Sequence, residues 1–311
     1  MVAAMRMLVL VVLAACGDRS PSTPAPGPEP RQDTPPKRAV SGDRFRDMLA
    51  ELEADPRIVV ERAFIGRPAT PAAIEQAQRV LGAQLAPEIL DFYRKHDGIS
   101  IRWVFAEDAR PGDRKRTNAP FTEIDSSNTA SGLIHFMPID EVFVSADRYE
   151  GELWFAAQAN LDELTKVGTR RYKHLDFRKG LRPFDYYSDF SMAAFFVGGH
   201  DANPPVLLGD DHGADWTTSG GGDFTAYVDG ILALRGSVHG RRTFMLSVLS
   251  ETLGWQFAVE HWRKAPPILD QVLRWSRRER DDDESWLVDV EPILEASTDP
   301  KARRLLRELR E

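Results

Sequence analysis

Thr70–Gly98, TPAAIEQAQRVLGAQLAPEILDFYRKHDG, is the stretch whose reading decides the fold. Thr70 followed by Pro71 opens a helix: a hydroxyl stands at the N-cap, then a residue whose missing N–H costs nothing at the first helical position. Ile74, Ala77, Val80 and Leu81 fall at i, i+3, i+6 and i+7, which is one apolar stripe. Gly82 stops that helix as a left-handed cap. Leu85, Ile89, Phe92 and Tyr93 make a second stripe at i, i+4, i+7 and i+8, and Asp97-Gly98 is expected to end it with another C-terminal glycine. Two capped helices with facing apolar stripes form a packing unit. The unit offers no nucleophile, ligand set or phosphate cradle, so it speaks for architecture.

Outward from this unit the periodicity changes. Before it, Ser41 to Leu52 reads as a helix with Phe45, Met48, Leu49 and Leu52 on one side, and Ile58 to Ile65 as a β-branched strand. After it, ISIRWVFA (99–106) alternates Ile99, Ile101, Trp103 and Phe105 on one face, the period of a half-buried strand. Further strands are expected at 133–137, 153–156, 192–197 and 206–208, and a helix begins at Pro138-Ile139-Asp140-Glu141-Val142. Residues 223–234 revert to helical period through Phe224, Tyr227, Val228, Ile231 and Leu232. Helices first, strands in the middle and a helix last give an α+β fold with a mixed or antiparallel sheet. From Gly240 onward the pattern is helical, broken at Pro266-Pro267, and it ends in the highly charged helix 301–311; this extension packs on the domain or sits beside it.

The spacing of these pieces resembles a known family. Leu81-Gly82, Leu85, Pro87, Phe92-Tyr93 and Asp97-Gly98 are similar to the N-terminal motif of the SUKH superfamily, and more narrowly of the domain named after the fungal Smi/Knr cell-wall assembly regulator. Residues 138–142 resemble the family's middle motif, 205–208 its late strand, and 223–232, with Phe224, its closing helix. The resemblance spans roughly 41–236. Departures are Ala86 between Leu85 and Pro87, Asp97 where asparagine is commoner, and a long insert at 144–189. What the resemblance implies is a non-enzymatic binder: an immunity protein against a secreted toxin, or a regulator of envelope assembly.

The chain opens with a targeting signal. Arg6 precedes the apolar run Met7–Leu13, too short to span a bilayer, and Leu13-Ala14-Ala15-Cys16 follows. This resembles a bacterial lipobox, in which the cysteine is acylated and becomes the mature N-terminus. Cys16 is the only cysteine of the chain, so no internal disulfide can form. Gly17, rather than aspartate, follows it, which by resemblance places the protein at the outer membrane, facing the periplasm. Residues 16–40 then carry seven prolines and almost no large apolar side chain, the composition of a disordered tether. The expected organisation is leader 1–15, tether 16–40, SUKH-like domain 41–236 and helical extension 240–311.

Charge and motifs narrow the chemistry. The formal charge of −8 disfavours nucleic acid and suits a basic protein partner. The one basic cluster read here, Arg110, Arg114, Lys115 and Arg116, lies in a Gly/Pro/Asn-containing loop without interleaved aromatics. Nucleotide-binding glycine loops and a nucleophile elbow are missing, so no cofactor is expected and the protein is read as no enzyme. The strongest candidate for chemistry is Gly209–Trp216, where Asp210, Asp211 and His212, with His200 upstream, are the weak candidates for a divalent metal and hence for a hydrolase. Asp and Gly between glycines after an apolar strand are also the composition of a β-turn. Asp185–Asp189 reads as a polar-aromatic loop, and His96 as a packing or capping residue at the end of its helix.

Overall fold

The computed structural model describes residues 42–110, 116–121, 130–145, 164–187, 191–199, 203–210, 215–216, 222–246, 248–277 and 287–311. Val40–Glu311 form one compact unit. The leader, Cys16, the tether, the strand expected at 153–156, and Asp211, His212 and His200 lie outside the described residues.

The fold is α+β. The chain runs α1 (Arg44–Ala54), β1 (Ile58–Ile65), α2 (Pro71–Leu81), α3 (Pro87–Tyr93), β2 (Ile99–Phe105), β3 (Gly132–Phe136) and α4 (Ile139–Phe143). A hairpin, β4 (Leu164–Val167) and β5 (Arg170–Lys173), and α5 (His174–Gly180) precede β6 (Leu181–Tyr186), β7 (Met192–Phe196), β8 (Val206–Asp210) and β9 (Asp215–Trp216). Helices close the chain: α6 (Phe224–Ala233), α7 (Val238–Met245), α8 (Val248–Leu253), α9 (Gln256–Lys264), α10 (Leu269–Ser276), α11 (Leu287–Glu295) and α12 (Pro300–Arg310). Among the described residues the main sheet has the order β1-β2-β3-β6-β7-β8-β9, with every neighbouring pair antiparallel.

The helical unit forms as its sequence dictates, with two corrections. Thr70 Oγ1 accepts from Ala73 N at 3.1 Å, Pro71 sits at N1, and Gly82 takes φ 65°, ψ 17°. Ile74 and Ala77 are buried, but Val80 is 48% exposed, because the inward stripe is narrower than the periodicity suggested. The second helix ends at Tyr93 rather than at Asp97-Gly98. Lys95 N and His96 N both bond back to Phe92 O, a tight turn that closes the helix before the glycine. Gly98, at φ 92°, instead opens β2, and Asp97 Oδ1 accepts from Ile139 N at 2.9 Å at the start of α4. Two motif segments forty residues apart thus meet.

β2 is not half-buried. Ile99, Ile101, Trp103 and Phe105 face the core, yet Ser100 and Arg102, on the other face, are 2% and 8% exposed. Arg102 Nε pairs with Glu61 Oε2 at 2.7 Å, and Ser100 Oγ accepts from Phe121 N at 3.1 Å. The polar face is covered by its own partners and by 116–121, so alternation in sequence did not mean alternation in solvent exposure.

The reading of 144–189 as an insert also changes. It contains β6, an internal strand of the main sheet. Pro183 and Asp185 disguise it: the ladder with β7 shifts register between them, and that bulge is where a sheet tolerates proline. Asp185, Tyr186 and Tyr187 are buried rather than lining a surface loop.

The helices after 236 share one apolar cluster with the sheet. Trp103 Nε1 donates to Arg235 O at 2.9 Å, Leu133 N to Gly236 O at 2.9 Å, and Val238 N to Ser131 O at 3.1 Å, which ties the turn between α6 and α7 to the edges of β2 and β3. Phe244, Trp262 and Trp275 pack together, with Phe244 5.2 Å and 4.7 Å from the two indoles.

Candidate functional site

A cleft of about 650 Å³ lies where α1 begins, α3 ends and α6 begins. Each wall has a local cause. Asp43 caps α1, its Oδ1 accepting from Phe45 N at 3.2 Å and Arg46 N at 3.3 Å, which fixes Phe45 at the helix start. Phe92 and His96 sit four residues apart and share one side of the turn closing α3. Asp223 caps α6 through Ala226 N at 2.6 Å and so places Phe224.

These side chains form an aromatic floor. Phe45 stands edge-on to Phe92, His96 and Phe136 at 6.1, 5.9 and 5.8 Å, and Phe92 meets Phe224 edge-on at 5.3 Å. Above them the rim carries both signs: Glu88, Asp91, Arg94 and Lys95 from α3 and its turn, and Arg44 from α1. Arg44 is tied to Asp229 at 2.7 Å, while Asp91 and Arg94 are a loose, exposed pair at 3.7 Å. Lys95 makes no ion pair with a described residue.

His96 is the titratable group at the floor. Its Nε2 lies 3.6 Å from Asp43 Oδ1, and the ring also bonds to the Gly66 backbone. Burial holds its pKa below the ordinary 6.5, and Arg46 and Lys95 push the same way against the pull of Asp43. The imidazole is therefore neutral at pH 7. Asp97 behaves oppositely: burial raises its carboxyl above 3.8, Asp140 adds to that, and the bond from Ile139 N opposes both.

The motif residues divide between core and corner. Leu85, Phe92, Tyr93 and Phe224 are buried, Leu81 half-buried, and Pro87 starts α3. Tyr93 Oη donates to Met137 O at 3.2 Å. Of the metal candidates only Asp210 falls in a described strand, paired with Asp215 across the β8–β9 ladder. Among the described residues no three His, Cys, Asp or Glu side chains converge as a metal site.

No protein-family model and no curated protein matches this chain. The site must be read from its own geometry. By its sequence 70–98 speaks for architecture, whereas this cleft is lined by the His96 end of that very unit. Asp43, Phe45 and Phe224 join it from distant segments, and local sequence pattern carries no signal that brings those segments together. An aromatic floor under a rim of mixed charge suits recognition of a protruding side chain. The one hydroxyl of the lining, Thr225, is exposed and stands on α6.

Proposed function

We propose that this chain is a non-enzymatic protein-binding module of the SUKH type, held at the cell envelope by an acylated Cys16, and that its role is immunity: it occludes a toxin. The observation that carries the reading is the Phe45–Phe92–Phe224 cleft, with His96 at its floor and a charged rim above. Interfaces place aromatic anchors at a desolvated centre and charges at the edge, and this cleft supplies both. Gly42, which follows the expected 16–40 tether closely in sequence, is among its lining residues, so a partner bound there would lie within tether length of the membrane. The acidic balance of the chain favours a basic toxin through steering.

Co-expression with a toxin from a neighbouring gene tests this reading. Growth should be rescued by the wild-type chain and lost with Lys95→Glu/Glu88→Lys, which exchanges two rim charges without touching the core. Rescue that is indifferent to the rim would remove the cleft from the reading. Failure with every adjacent candidate would reject immunity, and recovery of envelope-synthesis proteins instead would point to the regulatory role that the resemblance also implies. Replacing Cys16 with serine should move the protein out of the lipid-anchored fraction.

A further inference from the structure

The segment from β4 to the start of β6 opposes the charge of its chain. Between Leu164 and Arg182 stand seven lysines and arginines against a single carboxylate, Asp176, in a protein of formal charge −8. In sequence these cations are interleaved with Leu, Val and Tyr, which disguises them as a cluster. Strand register sorts them.

Lys166 lies directly opposite Arg171 and Leu164 opposite Lys173, so these four share one face of the β4–β5 ribbon. Thr165 and Val167, opposite Tyr172 and Arg170, share the other. The second face is the packed one: Val167 is buried, Tyr172 stands edge-on to Phe196 at 4.8 Å, and Arg170 Nη1 donates to Gly199 O at 3.1 Å. On the first face all four side chains are exposed, and no carboxylate among the described residues pairs with Lys166, Arg171 or Lys173. Like charges directly opposite on a ladder destabilise it. A glutamate at either position would turn that repulsion into attraction, so the isolated ribbon is less stable than it need be. Such a cost is expected where an external anion completes the surface.

Apolar groups among the cations narrow the anion. Leu164, on the cationic face, and Leu175, in the adjoining α5, are each 50% exposed, and α5 adds the exposed Lys179. Single-stranded nucleic acid asks for exposed aromatic rings to stack on, and Tyr172, the ribbon's aromatic residue, is turned inward. Exposed leucines gain nothing from a phosphate backbone but gain burial at the boundary between headgroups and acyl chains. We propose that the β4–β5 ribbon with α5 docks on an anionic phospholipid bilayer, Lys166, Arg171 and Lys173 meeting the headgroup phosphates and the two leucines entering the interface. This surface shares no residue with the lining of the partner-binding cleft and does not depend on that reading.

The test uses the full chain carrying Cys16→Ser, so that no acyl chain contributes. It is floated with phosphatidylglycerol–phosphatidylcholine vesicles and with phosphatidylcholine vesicles alone, the latter reporting the background from the apolar leader. Partition onto the anionic vesicles should be at least ~tenfold higher at low salt and should fall as ionic strength rises. Lys166→Glu should remove most of that excess while leaving or raising the melting temperature, because it converts a like pair into a Glu–Arg pair. Lys166→Arg should retain the excess. Equal partition onto both vesicle sets, or an undiminished excess with Lys166→Glu, overturns the proposal. So does binding of duplex DNA or polyglutamate in preference to anionic vesicles, which would name a different partner for the same face.

Discussion

Arg241 Nη1 lies 3.0 Å from Asp185 Oδ2, and neither side chain is reached by solvent. The pair joins α7 to β6, the helical extension to the middle of the sheet. Every part of the carboxylate is used: Tyr227 Oη donates to Oδ2 at 2.7 Å and His135 N to Oδ1 at 2.8 Å. Arg241 Nη2 donates to Leu133 O at 2.8 Å, and its guanidinium lies over the Tyr187 ring at 4.5 Å. Burial beside the Asp185 carboxylate drives the Tyr227 hydroxyl well above its ordinary pKa, so it stays a donor.

Breaking this pair on one side leaves an unpaired buried charge. Arg241→Met should cost about 3–5 kcal/mol in urea unfolding, whereas Asp185→Asn/Arg241→Met should recover part of that loss. A single substitution costing no more than an exposed salt bridge would show that the pair is not shielded from water.

Two glycines separate steric from conformational demands. A Cβ on Gly132 would overlap the Trp103 indole at Nε1, the atom that donates to Arg235 O. Gly132→Ala should therefore cost about 1–3 kcal/mol or more, with a change in the near-ultraviolet tryptophan dichroism. Gly82→Ala meets no neighbour within 4 Å and carries only the strain of its positive φ. It should cost about 1–2 kcal/mol and leave that spectrum alone.

His96 and Asp97 give opposite pH dependences. Folding lowers the His96 pKa, so its contribution to stability is full above pH 6.5 and is lost as pH falls from 6.5 through the lowered folded value. Comparing melting temperature against pH for wild type and His96→Gln isolates it from His261, which burial and Lys264 lower in the same direction. Folding raises the Asp97 pKa, so its contribution is full below pH 3.8 and is lost as pH rises through the raised value. Asp97→Asn keeps an acceptor for Ile139 N and removes the buried charge. It should melt at an equal or higher temperature at neutral pH, with the advantage vanishing in acid.

The α2 stripe offers a direct check on burial. Ile74→Ala should cost about 2–4 kcal/mol, while the exposed Val80→Ala should stay within about 0.5 kcal/mol.

Legibility followed the range of the interaction. Thr70, Pro71 and Gly82 announced α2 because caps act within one turn. β6 was hidden because Pro183 and Asp185 are turn residues by composition, and only a bulge and a buried arginine make them strand residues. Register concealed the basic face of the β4–β5 ribbon in the same way, since which cations stand together depends on pairing across the turn.

By itself the sequence determined the class of fold, the capped helix α2 and most strands of the sheet, because each rests on local periodicity or composition; it offered the leader and tether as expectations. Only the tertiary structure decided that 97 meets 139, that Phe45, Phe92 and Phe224 floor one cleft, and that the closing helices are keyed to the sheet through Asp185. Those facts depend on side chains distant in sequence sharing one desolvated place, and desolvation belongs to the folded chain as a whole.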